Sequence, residues 1–178
     1  MSIPPFHQDF LTYYRGLMAE AGGQVPKRSD VRPSDMKTML PWVVMGERSG
    51  PRQMIPTVIG SAIDEVLHAS FTGINLFDFL PEEIAVRLDA YYSNITDTPC
   101  GGYVERTLAS DSGLLKGYQT TLFPLVGAEG KVDRLIGIVS VMKTDPLMDH
   151  FGKPRDVQTV AITKEEYIDI GFGVPASV

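Results

Sequence analysis

The sequence predicts an α+β fold, in which a five-stranded antiparallel sheet carries short helices on one face and an N-terminal helix besides. The 178 residues include 17 glycines and 13 prolines, too many chain breaks for a bundle of long helices. Strand-like segments occur first as a pair and then as a set of three, with short helical segments between the two groups. The last strand-like segment is largely apolar on both faces, which is typical of a strand that is covered on both sides.

An amphipathic helix is predicted from Phe6 to Ala21. Phe10, Tyr14 and Leu17 recur at helical spacing and form one apolar stripe. Two successive glycines end this helix, because glycine adopts the left-handed cap conformation at little cost. A polar connector then leads to a short helix that is predicted between Ser34 and Met39.

The first two strands are predicted from Trp42 to Glu47 and from Met54 to Ile59, with a turn at Arg48–Pro51 between them. Pro56 lies inside the second strand and has no N–H group to donate to a neighbouring strand. The second strand should therefore lie at an edge of the sheet.

Three short segments separate the second strand from the third. They are a helix from Ala62 to His68, an apolar turn from Leu76 to Leu80 and a longer helix from Pro81 to about Ile95. The proline that opens the longer helix suits a first helical turn, and the two glutamates after it suit the positive end of the helix dipole.

Three further strands are predicted from Tyr103 to Ala109, from Lys116 to Phe123 and from Arg134 to Lys143. The last of them should be central, because its residues are mainly apolar on both faces. The short helices can cover one face of the sheet. We expect the N-terminal helix to cover the other face, within a homodimer.

The character of the chain changes at Asp145, where a polar segment punctuated by prolines begins. A short helix can start at Thr163–Tyr167 within it. The predicted organisation is therefore an N-terminal helix over residues 1–24, a domain over residues 25–144 and a C-terminal extension over residues 145–178.

Composition and charge exclude several classes of protein. The net charge is −6 and the isoelectric point is near 5.0, which argues against nucleic acid or an anionic membrane as the main partner. No apolar stretch is long enough to span a bilayer, and no signal peptide is recognisable, so a cytoplasmic location is expected. A single cysteine excludes an internal disulfide and cysteine-rich metal sites.

Five short motifs follow one another in a characteristic order. They are Tyr13-Tyr14-Arg15, Val25 to Pro33, Leu40-Pro41, Ile59 to Ile63 and Phe71-Thr72-Gly73. Together with the order of strands and helices, they resemble the small PAS-type domain family that is widespread in alphaproteobacteria. The resemblance covers about Phe10 to Lys143, with Tyr14 where that family commonly has tryptophan and Ser61 where it usually has threonine.

The resemblance implies a sheet with the strand order 2-1-5-4-3 and a sensory or signalling role. This order agrees with the edge position that Pro56 indicates for the second strand. It also agrees with the central position that the apolar pattern indicates for the fifth strand.

No cofactor and no metal are predicted. His68 is the candidate axial ligand for a haem, but the longer helix, where such ligands usually lie, has no histidine. Cys100 lies in a predicted loop rather than on the helix that carries the reactive cysteine of flavin photosensors. Asp145, Asp149 and His150 are better explained as solvated charges than as metal ligands.

The resemblance places any small-molecule ligand between the short helices and the sheet. Phe71, Phe77 and Tyr91 are candidates for its apolar wall, and Arg106 or Tyr118 could orient a polar end of the ligand. The same aromatic residues also suit a simple core. Which strand residues face inward depends on the strand register.

No nucleophile elbow, phosphate-binding loop, zinc motif or catalytic triad is recognisable, so the protein is not expected to be an enzyme. The resemblance implies a sensory domain that binds a small molecule and signals through an unidentified partner protein. The alternative is a ligand-free module for protein–protein interaction or dimerisation that uses the outer face of the sheet.

Overall fold

The computed structural model describes residues 3–67, 69–110, 115–142 and 157–176. Within these ranges the helices are α1 (Pro5–Glu20), α2 (Ser61–Leu67) and α3 (Glu82–Asp97). The strands are β1 (Val43–Gly50), β2 (Gln53–Ile59), β3 (Gly101–Ser110), β4 (Leu115–Val126), β5 (Val132–Val141) and β6 (Val157–Ile168). Short 3-10 turns occur at Arg28–Asp30, Pro33–Met36, Leu40–Trp42 and Leu76–Phe79.

The six strands form one antiparallel sheet with the order β2-β1-β5-β4-β3-β6. The predicted α+β class and the order 2-1-5-4-3 are confirmed. β2 lies at an edge, as Pro56 indicated, and the register between β1 and β2 shifts beside the pair that Pro56 forms with Gly46. β5 lies between β1 and β4, and its consecutive residues 135–139 are buried, so both of its faces are covered.

A sixth strand adds to the five that the sequence predicts. The short helix expected at Thr163–Tyr167 is wrong, because these residues belong to β6, which pairs with β3 along its whole length. Without β6, the outer edge of β3 would leave a row of backbone N–H and C=O groups unpaired. The β-branched residues Thr159, Val160 and Ile162 suit the strand conformation that satisfies them.

Two further local predictions are wrong. The helix expected from Ser34 to Met39 is only a 3-10 turn over Pro33–Met36, because the chain turns at residues 37–39 and enters a second 3-10 turn at Leu40–Trp42. The turn expected at Arg48–Pro51 is shorter, because β1 continues to Gly50.

Helix α1 covers one face of the sheet, as the sequence predicts. Phe10 and Tyr14 are fully buried. The ring of Tyr14 stacks on that of Phe123 in β4, with the centroids 4.4 Å apart. The Tyr14 hydroxyl donates a hydrogen bond of 2.7 Å to the carbonyl oxygen of Pro124. The apolar stripe of α1 is thus fixed on the sheet both by packing and by a directed polar contact.

His7 forms a second polar contact between α1 and the sheet, and sequence reasoning did not identify it. Its side chain is fully buried. Nδ1 lies 2.8 Å from Oγ1 of Thr121, and Nε2 lies 2.8 Å from Oγ of Ser140. The Ser140 hydroxyl donates to Oε1 of Gln119. A neutral ring that donates from Nε2 and accepts at Nδ1 satisfies all three contacts. Burial lowers the pKa of His7 to about 4.

The opposite face of the sheet carries α2, the turn Leu76–Phe79 and α3. The side chain of Arg48 in β1 binds two residues of α3. Its Nη1 forms an ion pair of 2.8 Å with Oδ1 of Asp89, and its Nη2 donates to Oγ of Ser93. Near the opposite edge of the same face, Arg87 of α3 pairs with Glu165 of edge strand β6. Polar contacts at both sides therefore hold α3 over the sheet.

We expect removal of residues 1–22 to cause aggregation or a marked loss of thermal stability. The deletion exposes the apolar face of the sheet that α1 covers. Burial of Phe10, Tyr14 and Leu17 contributes roughly 1.5–3 kcal/mol each as an upper range. Thermal unfolding and size-exclusion chromatography measure the effect. A truncated protein that stays soluble, equally stable and in the same oligomeric state would show that α1 is dispensable.

A matched pair of double variants separates packing from helix propensity. Phe10→Ala with Tyr14→Ala should reproduce most of the loss. Asp9→Ala with Arg15→Ala changes exposed positions of the same helix and should leave the unfolding temperature nearly unchanged.

The free energy of unfolding should fall as the pH drops from 6.5 towards 4. In this window His7 takes up a proton in the unfolded chain, where its pKa is 6.5, but not in the folded protein, where its pKa is about 4. The difference destabilises the folded state by up to about 3 kcal/mol. Urea unfolding of the wild type and of His7→Gln at pH 7 and at pH 5 measures it. Between pH 7 and pH 5, the free energy of unfolding should fall more steeply in the wild type than in His7→Gln, by the slope that corresponds to uptake of about one proton on unfolding. Parallel pH profiles of the two proteins would contradict the lowered pKa of His7.

Candidate functional site

A cavity of about 160 Å³ lies between the sheet and the layer formed by α2, α3 and the turn Leu76–Phe79. Its roof is apolar and includes Leu67, Phe71, Phe79, Leu88 and Tyr92. The volume is close to the ~150 Å³ of an apolar protein cavity that holds benzene. The space therefore suits a small organic molecule with an apolar body.

The polar side chains of the cavity wall come from three adjacent strands. Arg106 lies on β3, Tyr118 and Thr120 on β4, and Thr159 on β6. Arg106 is the direct register partner of Tyr118, so the two side chains project from the same face of the sheet. The strand pairing thus gathers the polar groups at one side of an otherwise apolar space.

Two of these side chains have buried atoms without a hydrogen-bond partner among the described residues. They are Oη of Tyr118 and Nε of Arg106. Tyr118 is only 3% exposed, and burial raises the pKa of its phenol well above the ordinary value, so the hydroxyl stays protonated and able to donate. An unpaired buried donor costs about 1–3 kcal/mol, which a bound acceptor would recover.

The structure brings three of the five candidate site residues together. Phe71, Arg106 and Tyr118 line the cavity. Phe77 is buried beside it, with its ring edge-on to that of Tyr92. Tyr91 is also buried, but its ring packs against Tyr167 of β6, with the centroids 5.6 Å apart.

The neighbour of Tyr91, Tyr92, reaches the cavity instead. Successive helical residues point about 100° apart, so only one of the two tyrosines can face the same space. Tyr91 faces the start of β3, where Gly102 has no side chain and lets the ring approach the backbone. A Cβ atom there would clash with Oη of Tyr91.

Sequence reasoning missed Tyr92 and Thr159 as wall residues. Tyr92 carries a usable signal, since it lies four residues after Leu88 and shares its helix face. Thr159 carries none, because its place in the wall depends on the pairing of β6 with β3.

Cys100 is buried and unpaired with another cysteine. Its thiol donates to the carbonyl oxygen of Asn94 over 3.8 Å. Burial and, secondarily, the charge of Asp169 raise the pKa of Cys100 to about 11. The thiolate that nucleophilic chemistry requires is therefore scarce at neutral pH.

The remaining candidates from the sequence, His68, Asp145, Asp149 and His150, lie outside the described residues. Within the described ranges, no group of three or more histidine, cysteine, aspartate or glutamate residues is placed to hold a metal ion. In the same part of the chain, no helix is long and apolar enough to cross a membrane.

The sequence model of the PAS domain family matches residues 4–140. This chain belongs to the PAS domain family. The family match agrees with the sheet order and with the position of the helices over the cavity. No curated protein matches the chain.

Solved structures with a similar fold show low sequence identity to this PAS domain. A light-oxygen-voltage domain studied with a flavin analogue is 17% identical, with a TM-score of 0.45, over 63% of this chain and 84% of its own. The blue-light photoreceptor Aureochrome1 LOV domain is 12% identical, with a TM-score of 0.44, over 66% and 95%. Vibrio cholerae VqmA is 15% identical, with a TM-score of 0.44, over 62% of this chain and 50% of its own length.

Replacing Tyr118 by phenylalanine should leave the stability of the ligand-free PAS domain unchanged or raise it slightly. The substitution removes a hydroxyl that has no partner among the described residues. Tyr14→Phe is the matched control, since it removes a buried hydroxyl that does donate to Pro124, and it should cost about 1 kcal/mol.

Urea unfolding of both variants, refolded without small molecules, makes the comparison. An equal loss in the two would show that the Tyr118 hydroxyl is already satisfied in the empty cavity.

Proposed function

We propose that this PAS domain is a sensor that binds a small molecule in the cavity beneath α2 and α3 and signals through a partner protein. The observation that carries the proposal is the buried hydroxyl of Tyr118 in the wall of an apolar cavity, where it has no hydrogen-bond partner among the described residues. A core built only for stability tends to avoid such a donor, because it weakens the fold unless an acceptor arrives. The proposal assigns no catalytic step to the cavity.

Strand β6 connects the cavity wall to helix α3 and to the protein surface. Thr159 contributes to the cavity wall. Further along the same strand, Glu165 pairs with Arg87, and the Tyr167 hydroxyl accepts a hydrogen bond of 3.0 Å from the side-chain amide of Asn94. β6 therefore contacts both the cavity and α3. A ligand that favours one position of β6 would shift the exposed surface that a partner recognises.

The alternative is a ligand-free module that interacts through the outer face of the sheet. This surface is not free in the described structure, because the apolar stripe of α1 and the buried side chain of His7 occupy it. A ligand-free module would also not account for the cavity or for the Tyr118 hydroxyl in its wall.

A stoichiometric small molecule should be released when the purified protein is denatured and analysed by mass spectrometry. Val139→Phe, which places a larger side chain in the cavity wall, should abolish this recovery. Val58→Phe is the control, because Val58 lies on edge strand β2 and is 39% exposed.

Thermal unfolding of each variant shows whether it is folded, since a bound ligand also raises the unfolding temperature. The sensor proposal fails if no compound is recovered from either protein and no compound from a metabolite panel raises the unfolding temperature of the wild type. That result would favour the ligand-free module.

A further inference from the structure

In the part of the chain that the structure describes, the cation in the cavity wall has no matching anion. Arg106 forms no ion pair with any carboxylate of the described residues. The other residues that line the cavity carry no charged side chain. Arg106 is half-buried in these apolar surroundings, where a charged group is stabilised when it is paired and hydrogen-bonded.

We propose that the cavity binds a compact monocarboxylate with an apolar body, and that Arg106 and Tyr118 hold its carboxylate group. This inference rests on the proposed function, because it names the chemical class of the molecule that the sensor binds.

Among the described residues, the guanidinium of Arg106 has one long hydrogen bond. Its Nη2 donates to Oγ1 of Thr120 over 3.4 Å, which is longer than an ordinary N–H···O bond. Its Nε is buried and has no partner in the described part of the chain. Arginine presents its N–H groups in a planar fork that matches the two oxygens of a carboxylate.

Tyr118 adds a further donor beside this fork. The direct register pairing of Arg106 with Tyr118 places their side chains next to each other on one face of the sheet, and both residues line the cavity. A carboxylate has lone pairs for both groups at once, whereas an amide or a ketone has one oxygen to share between them.

The neighbouring carboxylate on β3 points to the other side of the sheet. Glu105 lies next to Arg106 in sequence, and strand alternation turns it towards α1. There its Oε1 accepts hydrogen bonds from the Tyr103 hydroxyl, over 2.6 Å, and from the side chain of Gln119. Glu105 therefore does not neutralise Arg106, and within the described ranges no other carboxylate pairs with it.

A single charge and a limited volume define the ligand class more closely. One arginine among neutral wall residues suits one negative charge and does not suit a phosphate, which carries up to two. The volume of about 160 Å³ accommodates a ring or a short alkyl chain. Phenylacetate and hexanoate have these properties.

Isothermal titration calorimetry of the full chain with phenylacetate and with phenylacetamide tests the proposal. The two probes have the same shape and differ in charge. We expect phenylacetate to bind at least tenfold more tightly, because hydrogen bonds to a charged group are stronger than those between neutral groups. Hexanoate and hexanamide repeat the comparison with a flexible apolar body.

Substitutions of Arg106 test whether this side chain causes the preference for phenylacetate over phenylacetamide. Arg106→Gln should bring the ratio of the two affinities close to one, while Arg106→Lys should retain part of the preference. Arg87→Gln is the matched control, since Arg87 lies outside the cavity in an ion pair with Glu165, and it should keep the full ratio. Tyr118→Phe should weaken phenylacetate binding, but the variant should still bind phenylacetate more tightly than phenylacetamide because Arg106 is retained.

The outcomes separate the two levels of the proposal. Equal binding of acid and amide, or a preference that survives Arg106→Gln, overturns the carboxylate assignment but leaves a ligand-binding cavity. Preferential binding of inorganic phosphate at this site also overturns it. If no probe binds and no compound is recovered from the denatured protein, the sensor function itself fails.

Discussion

The structure depends on one constraint, the need to cover both faces of β5. Leu135 and Val139 of this strand face the cavity side, while Ile136 and Ile138 face α1. An apolar strand at the centre of a sheet is stable only between two layers. Helix α1 supplies one layer and the group of α2 and α3 the other. The cavity is the part of the second layer that side chains leave unfilled.

Local chemistry made most of the sheet predictable, but not its last strand. Pro56 indicates an edge strand through its missing N–H group, and the two apolar faces of β5 indicate a central one. Both signals lie within the strand concerned. β6 has only a weak local signal in its β-branched residues, because its lysine and glutamates fit a helix as well as a strand. Its conformation depends on the free edge of β3, which is formed by residues distant in sequence.

In the candidate site, too, some residues could be predicted from local sequence and others depend on contacts between distant parts of the chain. Arg106 and Tyr118 could be identified as polar residues of the later strands, but only the strand register shows that both line the cavity. The choice between Tyr91 and Tyr92 depends on the rotation of α3, which the contacts of Arg48 with Asp89 and Ser93 fix. His7 fell on the apolar stripe of α1, where a polar residue is easily overlooked. Its role appears only with Thr121 and Ser140 in place.

The pairing of β1 with β5 has a consequence for synthesis on the ribosome. Val43 pairs with Ile138, so the centre of the sheet cannot close until the C-terminal half of the chain has emerged. Contacts between segments so distant in sequence form late and slowly. Meanwhile the nascent chain carries the apolar stripe of α1 and the β1–β2 hairpin without their final cover. This interval is when chaperones can act on the chain and when association between nascent copies is easiest.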